Sequence, residues 1–145
     1  MNEISKLFLQ QITDVLRTAR SNVKTAVNLN MVYSYYEIGR MISEEEQRGN
    51  ERAEYGKYII KELSIFLTKE FGKGFSITNL KQMRQFYKVY SKDQIGQMLS
   101  DQFGNLPQTE NGRRFFLSWS HYLKLMRIDN INERQFYEIE SVKND

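Results

Sequence analysis

Lys81, Arg84, Lys88 and Lys92 follow one another at steps of three, four and four residues. On a helix advancing about 100° per residue they share one sector about 80° wide. Thr78 and Gln85 adjoin that sector and Gln82 lies just beyond it. Lys and Arg neutralise phosphates and release counterions, while Thr and Gln offer hydrogen bonds to base edges. The stripe therefore has the composition of a helix that enters a groove of double-stranded DNA. Lys73, a few residues upstream, extends it. The opposing reading is a solvated face, since Lys-rich outer surfaces are ordinary on bundle helices. Arg84 sits at the edge of the apolar side, where it is equally placed to satisfy a Glu or a carbonyl.

Charge is concentrated around this stripe. Between Lys57 and Lys92 there are eight Lys and Arg against two Glu, whereas the rest of the chain holds thirteen against sixteen acids. A slightly acidic protein thus carries one basic segment.

Other chemistries lack their residues. The chain of 145 residues has no Cys, which excludes a disulfide framework, a thiolate metal site and a Cys nucleophile. His121 is the single His and has no partner at metal-ligand spacing, so a core or cap role is expected. Glu44, Glu45 and Glu46 are consecutive, and consecutive helical residues point in different directions, so they cannot converge on one ion. No Gly-rich loop follows a strand, and no Ser stands in a nucleophile elbow. Neither metal nor cofactor is expected, and the chain is read as a non-enzyme.

The elements that must carry these residues are helical. Apolar residues from Ile4 to Val27 recur at steps of three and four, which predicts a long amphipathic helix. A second set, Met31 to Ile42, runs on toward Arg48, with Asn28 and Asn30 between. Spacing leaves open two helices or one rod. A further helix is predicted over about Ala53 to Phe71, with Ile59, Ile60, Leu63, Phe66 and Leu67 inward, closed by Gly72-Lys73-Gly74. Ser76 is a good N-cap for the next helix, which turns Ile77, Leu80, Met83, Phe86, Tyr87 and Tyr90 to one side. A weaker helix is read over Asp93 to Phe103, then a loop around Pro107. Ser118 or a neighbour opens another helix, and a last one covers about Asn132 to Val142.

The expectation is an all-α fold: a compact bundle of about five to seven helices with a long N-terminal helix and a helix-turn-helix-like unit. With 40% apolar residues and 19 aromatic ones, the chain can bury a core as a single domain over 1–145. No apolar run is long enough to span a bilayer, and the N-terminus lacks the marks of a secretory signal, so a cytoplasmic location is expected.

One ordered set of blocks carries a resemblance. It runs Tyr35-Tyr36-Glu37-Ile38-Gly39-Arg40, Tyr55-Gly56, Leu63-Ser64, Gly74-Phe75-Ser76-Ile77-Thr78-Asn79-Leu80-Lys81-Gln82-Met83-Arg84-Gln85-Phe86-Tyr87, Leu117-Ser118-Trp119-Ser120-His121-Tyr122 and Arg134-Gln135-Phe136-Tyr137. Together these resemble the N-terminal domain of YhcG-like proteins, a family assigned to the PD-(D/E)XK endonucleases, over about Ile12 to Val142. The resemblance implies a helical domain that precedes a C-terminal nuclease domain and binds DNA or mediates assembly. Such a nuclease holds its metal with an Asp and an Asp/Glu-x-Lys tripeptide, and no Asp or Glu here has Lys two places on. The nuclease part is expected to lie outside this chain, which reads as an excised domain or a short gene.

Most of the shared residues are expected to be structural. Gly39 should mark a close helix–helix approach, Asn79 should bond nearby backbone, and Phe75, Trp119, Phe136 and Tyr137 should be core. The candidate surface is Lys73, Thr78, Lys81, Gln82, Arg84, Gln85, Lys88 and Lys92, with double-stranded DNA as partner. The alternative is a protein-interaction or dimerisation domain built on the apolar stripe of the first helix.

Overall fold

A computed structural model describes residues 5–48, 53–92, 109 and 113–144. Its described elements are all helical: α1 (Lys6–Arg48), α2 (Ala53–Phe71), α3 (Ile77–Tyr90), α4 (Trp119–Leu125) and α5 (Ile131–Lys143). The helix expected over Asp93 to Phe103 and the loop around Pro107 lie outside the described residues.

The two apolar sets before Arg48 form one continuous helix of 43 residues, about 64 Å long. Asn28 and Asn30 do not interrupt it. Asn costs a helix only a fraction of a kcal/mol, roughly 0.7 or less, and cannot break one without a competing cap.

The core gathers on the second half of α1. Val32, Tyr36, Phe86, Tyr90, Phe115, Leu117, Tyr122 and Leu125 form one buried cluster. Phe86 of α3 is its centre. Its ring lies 4.9 Å from both Phe115 and Trp119, 5.1 Å from Tyr90 and 5.3 Å from Tyr122. Tilted and edge-on pairs of this kind add specificity to burial. A second cluster of Ile42, Ile60, Leu80 and Met83 joins α1, α2 and α3.

Gly39 lets α3 lie directly on α1. A Cβ at that position would stand 2.0 Å from the Met83 carbonyl oxygen, and backbone cannot give way to it. The turn after α2 depends on Gly72 and Gly74, whose φ angles of 82° and 111° are costly for other residues. Ser76 then caps α3 by accepting from the Asn79 amide, while the Asn79 side chain donates to the Gly74 carbonyl. Ser118 and Asn130 cap α4 and α5 in the same way.

A buried ionic network holds the 113–117 segment. The Arg113 guanidinium donates to both oxygens of Glu138 at 2.7 and 2.8 Å, and both side chains are fully buried. The Tyr122 hydroxyl donates to Glu138 and accepts from the Phe116 amide. Arg113 also lies over the Tyr90 and Phe115 rings.

Several inward expectations are corrected. Phe136 and Tyr137 are exposed and stack edge-to-face on each other, 5.4 Å apart, rather than entering the core. α5 buries Arg134 and Glu138 instead, because its inner face meets charged groups of the network. Phe66 and Ile77 are also exposed, since no described element covers their sides of α2 and α3.

Candidate functional site

α3 is a scaffold with two unlike sides. Leu80, Met83, Phe86 and Tyr90 are buried against α1, α4 and the 113–117 segment. Opposite them Ile77, Thr78, Lys81, Gln85, Lys88 and Lys92 are all exposed. Projected along the helix axis, the five within α3 fill one unbroken arc of about 100°, and Lys92 follows in the turn just past its end. α3 contains no acidic residue, so the arc has no carboxylate of its own. Lys73 is exposed on the glycine turn preceding α3.

Arg84 and Gln82 flank this arc and are partly buried. Arg84 turns toward α1, where its Nη1 donates to both oxygens of Glu46 at 2.9 Å. The pair is about three-quarters buried on both sides. Arg84 therefore ties α3 to α1 and does not stand with the open lysines. Of the eight residues singled out by spacing, the structure brings Thr78, Lys81, Gln85 and Lys88 onto one surface of α3, and Lys92 is exposed just past its end. Lys73 lies near its start, and Gln82 and Arg84 form its inner margins.

The consecutive acids of α1 point to separate partners. Glu44 accepts from Arg40, which also pairs with Glu37. Glu45 accepts from the Tyr55 hydroxyl and faces Arg48, and Glu46 takes Arg84. His121 is an exposed cap residue whose Nδ1 lies 2.7 Å from the Ser118 hydroxyl.

Sequence spacing missed two features. One is the Glu46–Arg84 pair, because partners 38 residues apart leave no periodic trace. The other is the Arg113–Glu138–Tyr122 network. Burial pushes the Tyr122 phenol well above its ordinary value, and the Glu138 carboxylate beside it acts in the same direction. Tyr33 is also raised by burial, against the opposing effect of the Phe115 amide that donates to it. The only outward mark of that network is a pair of Arg residues set directly before two Phe.

Among the described residues no helix is long and apolar enough to cross a membrane.

The family described as DUF1016 N-terminal domain matches residues 11–145. A curated relative, "Putative nuclease YhcG" of Escherichia coli (strain K12), is 37% identical over 153 aligned residues. The alignment covers 92% of this chain but 41% of the relative, so the chain spans about two fifths of that protein's length. No solved structure matches. An all-helical scaffold of this sequence and a match across nearly its whole length carry one conclusion: the chain belongs to the DUF1016 N-terminal domain family, the helical N-terminal domain of YhcG-like proteins.

Proposed function

We propose that this domain binds double-stranded DNA and serves as the non-catalytic, targeting part of a nuclease. The observation that carries the reading is the exposed, acid-free arc of Lys81 and Lys88 on α3, followed by exposed Lys92 just past its end, with Thr78 and Gln85 at its edge. Cations on a helix fixed by packed rings are pre-organised, so little order is lost when phosphates arrive. Lys73, Lys81, Lys88 and Lys92 neutralise backbone charge, and Thr78, Gln85 and the deeper Gln82 address base edges. Arg84 keeps α3 seated through Glu46.

Fluorescence anisotropy of a labelled duplex across a salt series tests this. Log affinity should fall linearly with log salt, and Lys81→Gln with Lys88→Gln should reduce the slope by about two. A wild-type chain that ignores duplex at low salt, or a slope unmoved by the two substitutions, would end the proposal.

A second reading rests on the first half of α1. Phe8, Ile12, Val15, Leu16, Ala19 and Val23 are exposed and lie within about 100° of one another. Their stripe lies about 130° around the helix from the Val32–Tyr36 face that enters the core. It is therefore a second seam and not an extension of the first. A second copy in parallel register suits it, because the Lys6, Arg20 and Lys24 edge would then face the neutral Gln11, Thr18 and Asn22 edge. An antiparallel pair would set the basic edges against each other.

A further inference from the structure

A cleft of about 280 Å³ lies among α1, α2 and α3, lined by Glu46, Gly56, Lys57, Ile60, Lys81 and Arg84. Lys81 belongs both to this cleft and to the exposed arc of α3. Lys57 reaches the same cleft from α2, and its side chain is exposed. Both contacts to Glu46 are made by Nη1 of Arg84, so Nε and Nη2 lie outside the pair. Glu46 fixes the guanidinium plane, and the missing side chain at Gly56 leaves room for that carboxylate. A Cβ there would stand 2.8 Å from Glu46 Oε2.

Three cationic groups from two helices thus line one opening, and among the described residues one carboxylate, already committed to Arg84, lies in its wall. Two ammonium groups and a guanidinium edge suit a tetrahedral oxyanion, for which ammonium acts as a point charge and guanidinium as an oriented donor. We propose that this cleft seats one backbone phosphate of the DNA, gripped by Lys57 and Lys81 with Arg84 behind them. The inference rests on the DNA-binding reading and adds α2 to the interface. A phosphate held between two helices fixes the angle at which α3 meets the duplex, which contacts on α3 alone leave free to rock.

The test uses the full chain, labelled duplex and the same salt series. Lys57→Gln should weaken binding about tenfold or less at moderate salt and reduce the salt slope by about one, the signature of one lost phosphate contact. Lys24→Gln removes the same charge from the projecting half of α1 and should leave the slope in place. Circular dichroism should show both variants folded, since both side chains are exposed. If Lys57→Gln leaves the slope intact while Lys88→Gln lowers it, the cleft proposal is overturned and the DNA reading stands. If Lys24→Gln lowers the slope as much as Lys57→Gln, the effect is general charge and the cleft is again overturned. If the wild-type chain does not bind duplex, both fall together.

Discussion

Gly39 shows how a single residue type sets the architecture. A glycine inside a helix costs about 1 kcal/mol against alanine. Here the cost is met because α3 backbone occupies the space a side chain would need. Gly39→Ala should destabilise the domain by about 1–3 kcal/mol or more, the usual range for overpacking, and urea denaturation will measure it. A variant as stable as the parent would show that the two helices are not held this close. That Gly39 marks a close approach was legible in its position amid a helical pattern; that Met83 is the neighbour was not. Tyr122 supplies a second residue-scale expectation. Its folded-state value is raised, so the protonated phenol is the form that folding favours. Its contribution is therefore complete below the ordinary value of about 10 and is lost as pH climbs past it. Stability should hold to about pH 10 and then decline. Tyr122→Phe should cost about 1–3 kcal/mol at neutral pH, because the buried Glu138 loses a donor and the Phe116 amide an acceptor. Its alkaline decline should be shallower, with Tyr33 supplying part of what remains. Melts at pH values on either side of 10 decide this.

The α2–turn–α3 unit was the most legible element. Gly72 and Gly74 adopt the backbone that favours glycine, and Ser76 caps α3 through the Asn79 amide. Local chemistry at these positions is strong enough that distant packing cannot overrule it. Ser76→Ala should cost about 1 kcal/mol and fray the first turn of α3. That turn carries Thr78 and precedes Lys81, so hydrogen exchange should rise at Leu80 and Lys81, with no change in α5. Unchanged exchange would show that tertiary contacts alone hold the turn. The outward arc was legible for the same reason, since a period of 3.6 separates lysines from rings. Arg84 shows the limit of that reasoning. Helical angle placed it within the cationic sector, but at the margin a few tens of degrees decide whether a guanidinium meets water or a carboxylate. Only the position of α1 settles that.

For the whole molecule, α1 has two unlike halves. Its second half buries Val32, Tyr36 and Ile42, while its first half leaves Leu16 57% and Val15 67% exposed. Ile12→Glu with Leu16→Glu should therefore leave the melting temperature nearly unchanged at concentrations where the parent is monomeric, because neither side chain contributes to the core. Sedimentation should show the variant monomeric under conditions where the parent self-associates. A large drop in melting temperature at those dilute concentrations would mean that the first half packs within its own chain. A parent monomeric at high concentration would remove the case for pairing. Tyr36→Ala, by contrast, should cost about 3–5 kcal/mol, since its ring contacts Phe86, Tyr87 and Phe115.

The amino-acid sequence alone determined the helical class, the caps and turns around α3, and the separation of cations from rings along it. Each depends on neighbours within a few residues, where spacing and side-chain chemistry act directly. The fold decided the rest: that α1 runs unbroken past Asn28 and Asn30, that Arg84 is bound to Glu46, that Arg113 and Glu138 are buried together, and that Lys57 and Lys81 line one cleft. These are meetings of residues far apart in the chain. Their energies depend on shared burial and on distances between helices, which no local pattern encodes.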